Sequence, residues 1–205
     1  MQNRKNGRSA CYFFGVPDTK KVVPRPRDRL LDVASGLFYR EGITSIGVDR
    51  ILLEANVTRT TLYRHFGGKE GLIVAYLKRE DEQLREAFAA AENGAESPGQ
   101  LLALAIDGIA LDAARHHTRG CPFINAAAEY PEAAGPVRQV VADHREWFRA
   151  SLERYLTAGG RADAAEKADE LVMLRDAVLV GSYLDQAETV QQTYGRLARS
   201  VAGLS

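Results

Sequence analysis

The sequence predicts an all-α protein, on three observations. From about residue 27 onward, every long stretch repeats its apolar residues three and four apart, the period of a helix that buries one face. No run alternates apolar and polar residues with the two-residue period of a half-buried strand. Proline and glycine fall where helices of ordinary length would start and stop.

Each element follows in order. Residues 1–24 carry basic residues, Gly and Asn with no sustained period, and are expected to form a mobile basic arm. Pro26 suits the first position of a helix that places Leu30, Leu31, Ala34, Leu37 and Phe38 on one face and stops at Gly42. The next helix is expected within "ITSIGVDRILLEAN", with Thr44 or Ser45 as its cap and Ile46, Ile51 and one of Leu52 and Leu53 turned inward. "VTRTTLYRHF" reads as a third short helix capped by Thr58, and Gly67-Gly68 breaks it. A long helix then runs from Lys69 to about Glu92. "ENGAESPGQ" is a polar turn.

Beyond it, Leu101, Leu104, Ala105, Ile109 and Ala110 mark a helix ending near His117. A short one runs from Pro122 to Tyr130 and is stopped by Pro131. A five-turn stripe from Val137 to Tyr155, through His144, ends at Gly159-Gly160. Two more helices are expected over Asp163–Asp185 and Glu188–Ala202.

Composition narrows the function. The chain has 205 residues, 45% hydrophobic and 26% charged, as in ordinary globular proteins. Its two cysteines, Cys11 and Cys121, imply no disulfide framework, which fits a reducing cytoplasm. No apolar run approaches the roughly 20 residues of a membrane span. Ala10 to Val16 is too short and too aromatic for a signal-peptide core. The net charge is zero but unevenly placed. Residues 1–70 hold 13 Lys/Arg against 7 Asp/Glu, and residues 71–205 hold 14 against 20. A basic first third on an acidic remainder points to a polyanionic partner.

The two helices joined at "EANV" form a helix-turn-helix. Leu62 and Phe66, four apart, can anchor the second helix, so Arg59, Thr60, Tyr63 and Arg64 project away from the core. A short exposed helix of this composition suits phosphates and base edges in a major groove. "VTRTTLYRHFGGKEGL" resembles the recognition helix and the opening of the fourth helix in the TetR family of bacterial transcriptional repressors. The resemblance covers about residues 26–203. It implies a DNA-binding unit at residues 25–70 and a ligand-binding and dimerisation unit at residues 71–205. It also implies a two-fold homodimer on a palindromic double-stranded DNA operator, released by an unknown small-molecule effector.

By the same resemblance Arg59, Thr60 and Tyr63 read bases, and Thr61, His65, Lys69 and Thr44 meet the DNA backbone. Asn56 stands where the family's turn usually has Gly, and Asn tolerates the left-handed conformation. The family builds its dimer from the last two long helices, here with Leu171, Leu174, Ala177, Val178, Gly181, Leu197 and Val201. A pocket in the bundle would be walled by Tyr76, Phe123, Trp147, Phe148 and Met173, with Tyr155 beside them. Asp107 and Arg175 are charges set among apolar residues, so each needs a partner: each other, a ligand or the dimer mate. Asn125 and Glu129, one turn apart, would line the pocket or tie their helix to the next.

Cys121, in "GCPFINAAAEY", has three readings. It packs helices together, it senses oxidants or electrophiles from a helix N-terminus beside Arg119, or it is the nucleophile of a small thiol enzyme. An effector-independent DNA binder is the remaining alternative. His116-His117 near Cys121 matches no common zinc spacing, and neither a metal nor a cofactor is expected. His144, on an apolar stripe, is expected to be a satisfied core histidine.

Overall fold

The computed structural model describes residues 25–204; the expected basic arm and its Cys11 lie outside the described residues. Among the described residues there are nine helices and no strand. They are α1 (Pro26–Glu41), α2 (Val48–Ala55), α3 (Arg59–Phe66), α4 (Lys69–Gly94), α5 (Pro98–Arg115), α6 (Pro122–Glu129), α7 (Pro136–Ala158), α8 (Ala164–Leu184) and α9 (Ala187–Ala202). None is long and apolar enough to cross a membrane.

Local chemistry sets the boundaries. Proline opens α1, α5, α6 and α7, where a missing N–H costs nothing. Ser97 and Thr58 cap α5 and α3 by accepting from the backbone N–H groups of Gln100 and Thr61. Asn56 ends α2 at φ 49°, ψ 56°, the left-handed conformation the turn requires. Gly67 ends α3 at φ 72°, a conformation that strains other side chains.

Two expectations change and an open choice between two leucines is resolved. The cap of α2 is Gly47, not Thr44 or Ser45. The Ser45 hydroxyl donates back to the Glu41 carbonyl at 2.6 Å, and the Thr44 hydroxyl donates to Glu129 at 2.6 Å, so both are committed elsewhere. Of the Leu52–Leu53 pair, Leu52 is buried and Leu53 is 80% exposed. Leu104 turns to solvent rather than inward, because Leu102, Ala105, Ile106 and Ile109 take the buried face of α5.

Helices α1 to α3 pack around Leu30, Leu37, Ile43, Ile51 and Leu62, all essentially buried. Each such side chain contributes roughly 1.5–3 kcal/mol relative to exposure. Helix α4 starts against this cluster with Leu72, Ile73 and Leu77 and continues past α5, α6 and α7. Its far part packs Phe88 against Trp147, Phe148 and Tyr155. Helices α8 and α9 form an extensive antiparallel pair, and α7 lies on α8. Gly181 is small because α9 comes close there: a Cβ would stand 3.0 Å from Val190 Cγ1.

Candidate nucleic-acid interface

Helix α3 is held from beneath and open above. Leu62 is buried, and Phe66 is partly buried with the Arg27 guanidinium 5.4 Å from its ring centre. Arg59, Thr60, Tyr63, Arg64 and His65 are exposed. The turn before α3 is closed from α1, where Arg29 donates to the carbonyls of Ala55 and Asn56 at 3.4 and 3.3 Å. Helix α2 is fixed to α1 by Arg50, which grips both carboxylate oxygens of Glu41 at 2.6 and 2.7 Å.

The predicted contact residues divide into free and engaged. Thr60, Tyr63 and His65 present unshared polar groups on the open face. Arg59 is ion-paired with Asp49 of α2. The Thr61 hydroxyl lies 3.0 Å from that of the capping Thr58. Lys69 is partly buried at the start of α4; burial lowers its pKa, and the Glu129 charge acts the other way. Thr44 is turned toward α6, and Glu129 accepts its N–H and its hydroxyl, both at 2.6 Å. The phosphate contact expected of Thr44 thus competes with Glu129, which both its donors already serve.

That carboxylate, expected to line a pocket or to tie its helix to the next, ties α6 to the α1–α2 loop. Glu129 also accepts the Ile43 N–H at 2.9 Å, so it clamps the loop between α1 and α2. Burial alone would raise its pKa, but the Thr44 hydroxyl, the two N–H groups and the Lys69 charge hold it below the ordinary carboxylate value. Glu129 also lines a recess of about 300 Å³, together with Glu70, Tyr130, Glu132 and Arg138 among others. The start of the α6 segment is tied to α1 as well. The Tyr39 hydroxyl accepts the Arg119 N–H at 2.7 Å and donates to the Gly120 carbonyl at 3.2 Å. The Tyr39 ring meets His117 edge-on, and His117 sits between Asp112 at 2.6 Å and Glu80 at 3.4 Å. Burial would lower the His117 pKa, but the two carboxylates outweigh it and raise it to about 10. Tyr39 and Glu80 escaped the sequence reading, which weighed His117 as a zinc ligand, because Tyr39–Arg119 and Glu80–His117 join residues far apart in the chain.

The other pocket candidates scatter. Asp107 is exposed and pairs with Arg199 of α9 at 2.5 Å, so its apolar sequence neighbours did not bury it. Met173 is 72% exposed, on the outer face of α8, and walls no interior site. Tyr76 packs on Phe38 of α1, with ring centres 6.0 Å apart. Asn125 donates to the Arg119 carbonyl at 3.1 Å and so braces the turn before its own helix. Cys121, Phe123, Phe148 and Arg175 do come together in the interior, beside a half-buried Trp147. Arg175 bonds Asp176 at 3.1 Å and His144 Nε2 at 3.3 Å, and lies over Phe148. His144 gives its other nitrogen to Asp81 at 2.8 Å, and Phe123 stacks flat on its ring at 3.6 Å. Burial and the Arg175 charge lower the His144 pKa to about 4. Its neutral ring is the satisfied core histidine that the apolar stripe suggested.

The α8–α9 surface is also mixed. Met173, Ala177, Tyr183, Leu184 and Leu197 are exposed, whereas Leu174 and Val201 are partly buried. Leu171 and Val178 fill the protomer's own core, so neither can face a partner as expected.

Comparison with known proteins agrees with this architecture. Residues 30–76 match the family described as bacterial regulatory proteins, tetR family, and residues 97–200 match the tetracyclin repressor-like C-terminal domain. The crystal structure of SCO4454, a TetR-family transcriptional regulator from Streptomyces coelicolor, aligns with TM-score 0.83 and 39% identity over 87% of this chain and 94% of that one. The HTH-type transcriptional regulator LmrA of Bacillus subtilis is 24% identical over 161 residues, 77% of this chain and 84% of LmrA. An uncharacterized HTH-type transcriptional regulator of Mycobacterium tuberculosis is 44% identical over 57 residues, a stretch spanning only 28% of either protein. The thiol-enzyme reading of Cys121 lapses, and the chain belongs to the TetR family of bacterial transcriptional regulators, DNA-binding proteins and not enzymes.

Proposed function

We propose that this regulator is a ligand-responsive repressor that binds a near-palindromic operator as a two-fold homodimer. The observation that carries the reading is the open face of α3, where Thr60, Tyr63 and His65 stand exposed over the buried Leu62 and beside Arg59. Arg59 reads guanine in a bidentate contact once it leaves Asp49; Tyr63 packs on a thymine methyl. Lys69 and the first N–H groups of α4 hold a phosphate. The apolar outer face of α8 and α9, with Met173, Leu184 and Leu197, supports pairing through this helix pair. Half-sites then lie about 34 Å apart or slightly more. Effector binding among α4 to α8 shifts the DNA-binding helices through α4 and through the α6 ties at Tyr39 and Glu129.

The test is selection of operators from random duplexes, followed by footprinting and mass determination of the complex. One protected palindrome holding two protomers is the expected result. Smooth coating of DNA would point instead to an effector-independent architectural protein, and absence of binding at low salt would remove both readings. Thiol sensing is the weaker route to regulation, because Cys121 is fully buried at the N-cap of α6. Retained DNA release by electrophiles in Cys121→Ser would eliminate it.

A further inference from the structure

Arg175, buried inside the helix bundle, has no carboxylate to itself. Arg85, Arg145 and Arg175 share two carboxylates, those of Asp81 and Asp176. Asp81 takes Arg85 at 2.6 Å and also His144 at 2.8 Å. Asp176 takes Arg145 at 2.8 Å and Arg175 at 3.1 Å. His144 brings no charge of its own: Nδ1 donates to Asp81, and Nε2 receives an N–H from Arg175. Arg85 and Arg145 reach water, but Arg175 is 6% exposed, and its polar neighbours are one shared carboxylate, His144 Nε2 and the Cys121 thiol. A buried guanidinium with no carboxylate of its own favours a further anion beside it.

The surroundings say what kind of anion. His144 lies flat against Phe123, with ring planes 5° apart and centres 3.6 Å apart. Phe148 stacks near the same imidazole and lies under the Arg175 guanidinium. Phe123 comes from the first turn of α6, an eight-residue helix, whereas His144 and Arg175 stand on the long helices α7 and α8. The ring-on-ring slot therefore has two fixed walls and one wall on a short element.

We propose that this slot is the effector site and that its ligand is a planar aromatic anion, an aromatic carboxylate or phenolate. The ligand's ring takes the place of Phe123 on His144, and its charge gives Arg175 an anion that it does not share. This inference rests on the effector-responsive reading above. Stacking is conserved in the exchange, because one ring replaces another. The displaced Phe123 carries α6 with it, and α6 ends in the Glu129 clamp on the α1–α2 loop.

The experiment uses the full chain, three probes and Trp147, the single tryptophan, whose ring centre is 6.3 Å from that of His144. The probes are 2-naphthoate, its neutral amide and cyclohexanecarboxylate, titrated by calorimetry, with Trp147 emission recorded alongside for the non-absorbing probe. Naphthoate should bind at least about tenfold tighter than either control, the ratio that one charge-assisted hydrogen bond supplies. Arg175→Met should abolish the preference over the amide. Phe123→Ala should tighten naphthoate binding, since the protein's own ring no longer competes, and this variant carries the test if Arg175→Met does not fold. Equal affinity for the acid and the amide, or no naphthoate binding to either wild type or Phe123→Ala, would overturn the proposal. A gel shift with the selected operator runs in parallel. DNA binding that persists without naphthoate binding sinks this inference alone, and loss of DNA binding in the wild type sinks the regulator reading instead.

Discussion

Replacing Glu129 by Gln removes the carboxylate that accepts the N–H groups of Ile43 and Thr44 and the Thr44 hydroxyl. The magnitude follows from where those donors lie. Thr44 is exposed, so its two donors return to water at little cost. Ile43 is buried, and its N–H keeps at best a weaker acceptor. A buried donor left without its charged partner costs about 1–3 kcal/mol, so the whole substitution should cost about 2 kcal/mol. For a domain of this size that is roughly 4–8 °C in Tm. The pH dependence supplies a second reading. The folded-state pKa of Glu129 lies below its unfolded value of 4.5, so its contribution is present above that pH and is lost as pH falls through the folded value. Melting curves of both proteins at neutral pH and in acid are the assay. The wild type should lose its advantage over Glu129→Gln progressively as pH falls below 4.5 and through the folded-state value. Coincident melts at neutral pH, or a gap that survives acidification, would refute the clamp.

Other substitutions probe other parts of the molecule. Asp49→Ala frees Arg59 and removes a negative charge from the DNA-facing surface; it should raise non-specific DNA affinity, steepen the salt dependence and leave the preferred operator unchanged. Arg59→Ala should relax specificity at one base pair by about 1–3 kcal/mol, whereas Lys69→Ala should weaken all sequences alike and lower the salt slope by about one; swapped phenotypes in quantitative gel shifts would reverse the assignment. His117→Gln should destabilise the fold at neutral pH. The folded pKa of His117, about 10, lies above the unfolded 6.5, so its stabilisation is full below 6.5 and fades as pH rises through about 10, where the two melting curves should converge. Met173→Glu with Leu184→Glu should leave the protomer's helicity intact and halve the mass in solution; a mass unaffected by the pair would move the interface elsewhere.

What the sequence revealed and what it hid divides along chain distance. Proline at Pro26, Pro98, Pro122 and Pro136 and glycine at Gly42 and Gly67 mark boundaries through backbone chemistry that acts locally. The recognition helix was equally legible, because Leu62 and its exposed neighbours lie within two turns. The errors came where burial depends on a second element. Asp107 looked interior from its neighbours, yet only the arrival of Arg199 shows that its side of α5 is a rim. Helix α8 is apolar on two faces, so periodicity did not reveal that Leu171 points into the protomer and Met173 out of it. The clamps joining Glu129 to Thr44 and Tyr39 to Gly120 span 85 and 81 residues, and no local pattern encodes such pairings.

Those long-range clamps set a quantitative condition on regulation. Segment 119–129 is tied to α1 through Tyr39 and to the α1–α2 loop through Glu129, while Cys121 and Phe123 sink its other face into the bundle. A helix of eight residues is too short to bend much, so a shift at Phe123 must be taken up at one of these ties. The Glu129 tie is the weaker candidate to hold, since only the Ile43 N–H loses a buried partner when it opens. Opening it costs about 2 kcal/mol, so an effector acting by this route must prefer the opened state by more than that, a factor of about 30 in affinity. Glu129→Gln removes that cost in advance. The variant should therefore bind the effector more tightly than the wild type, by up to the same factor, and should release DNA at correspondingly lower effector concentration. Unchanged effector affinity in a folded Glu129→Gln protein would mean that the signal reaches the recognition helices through α4 alone.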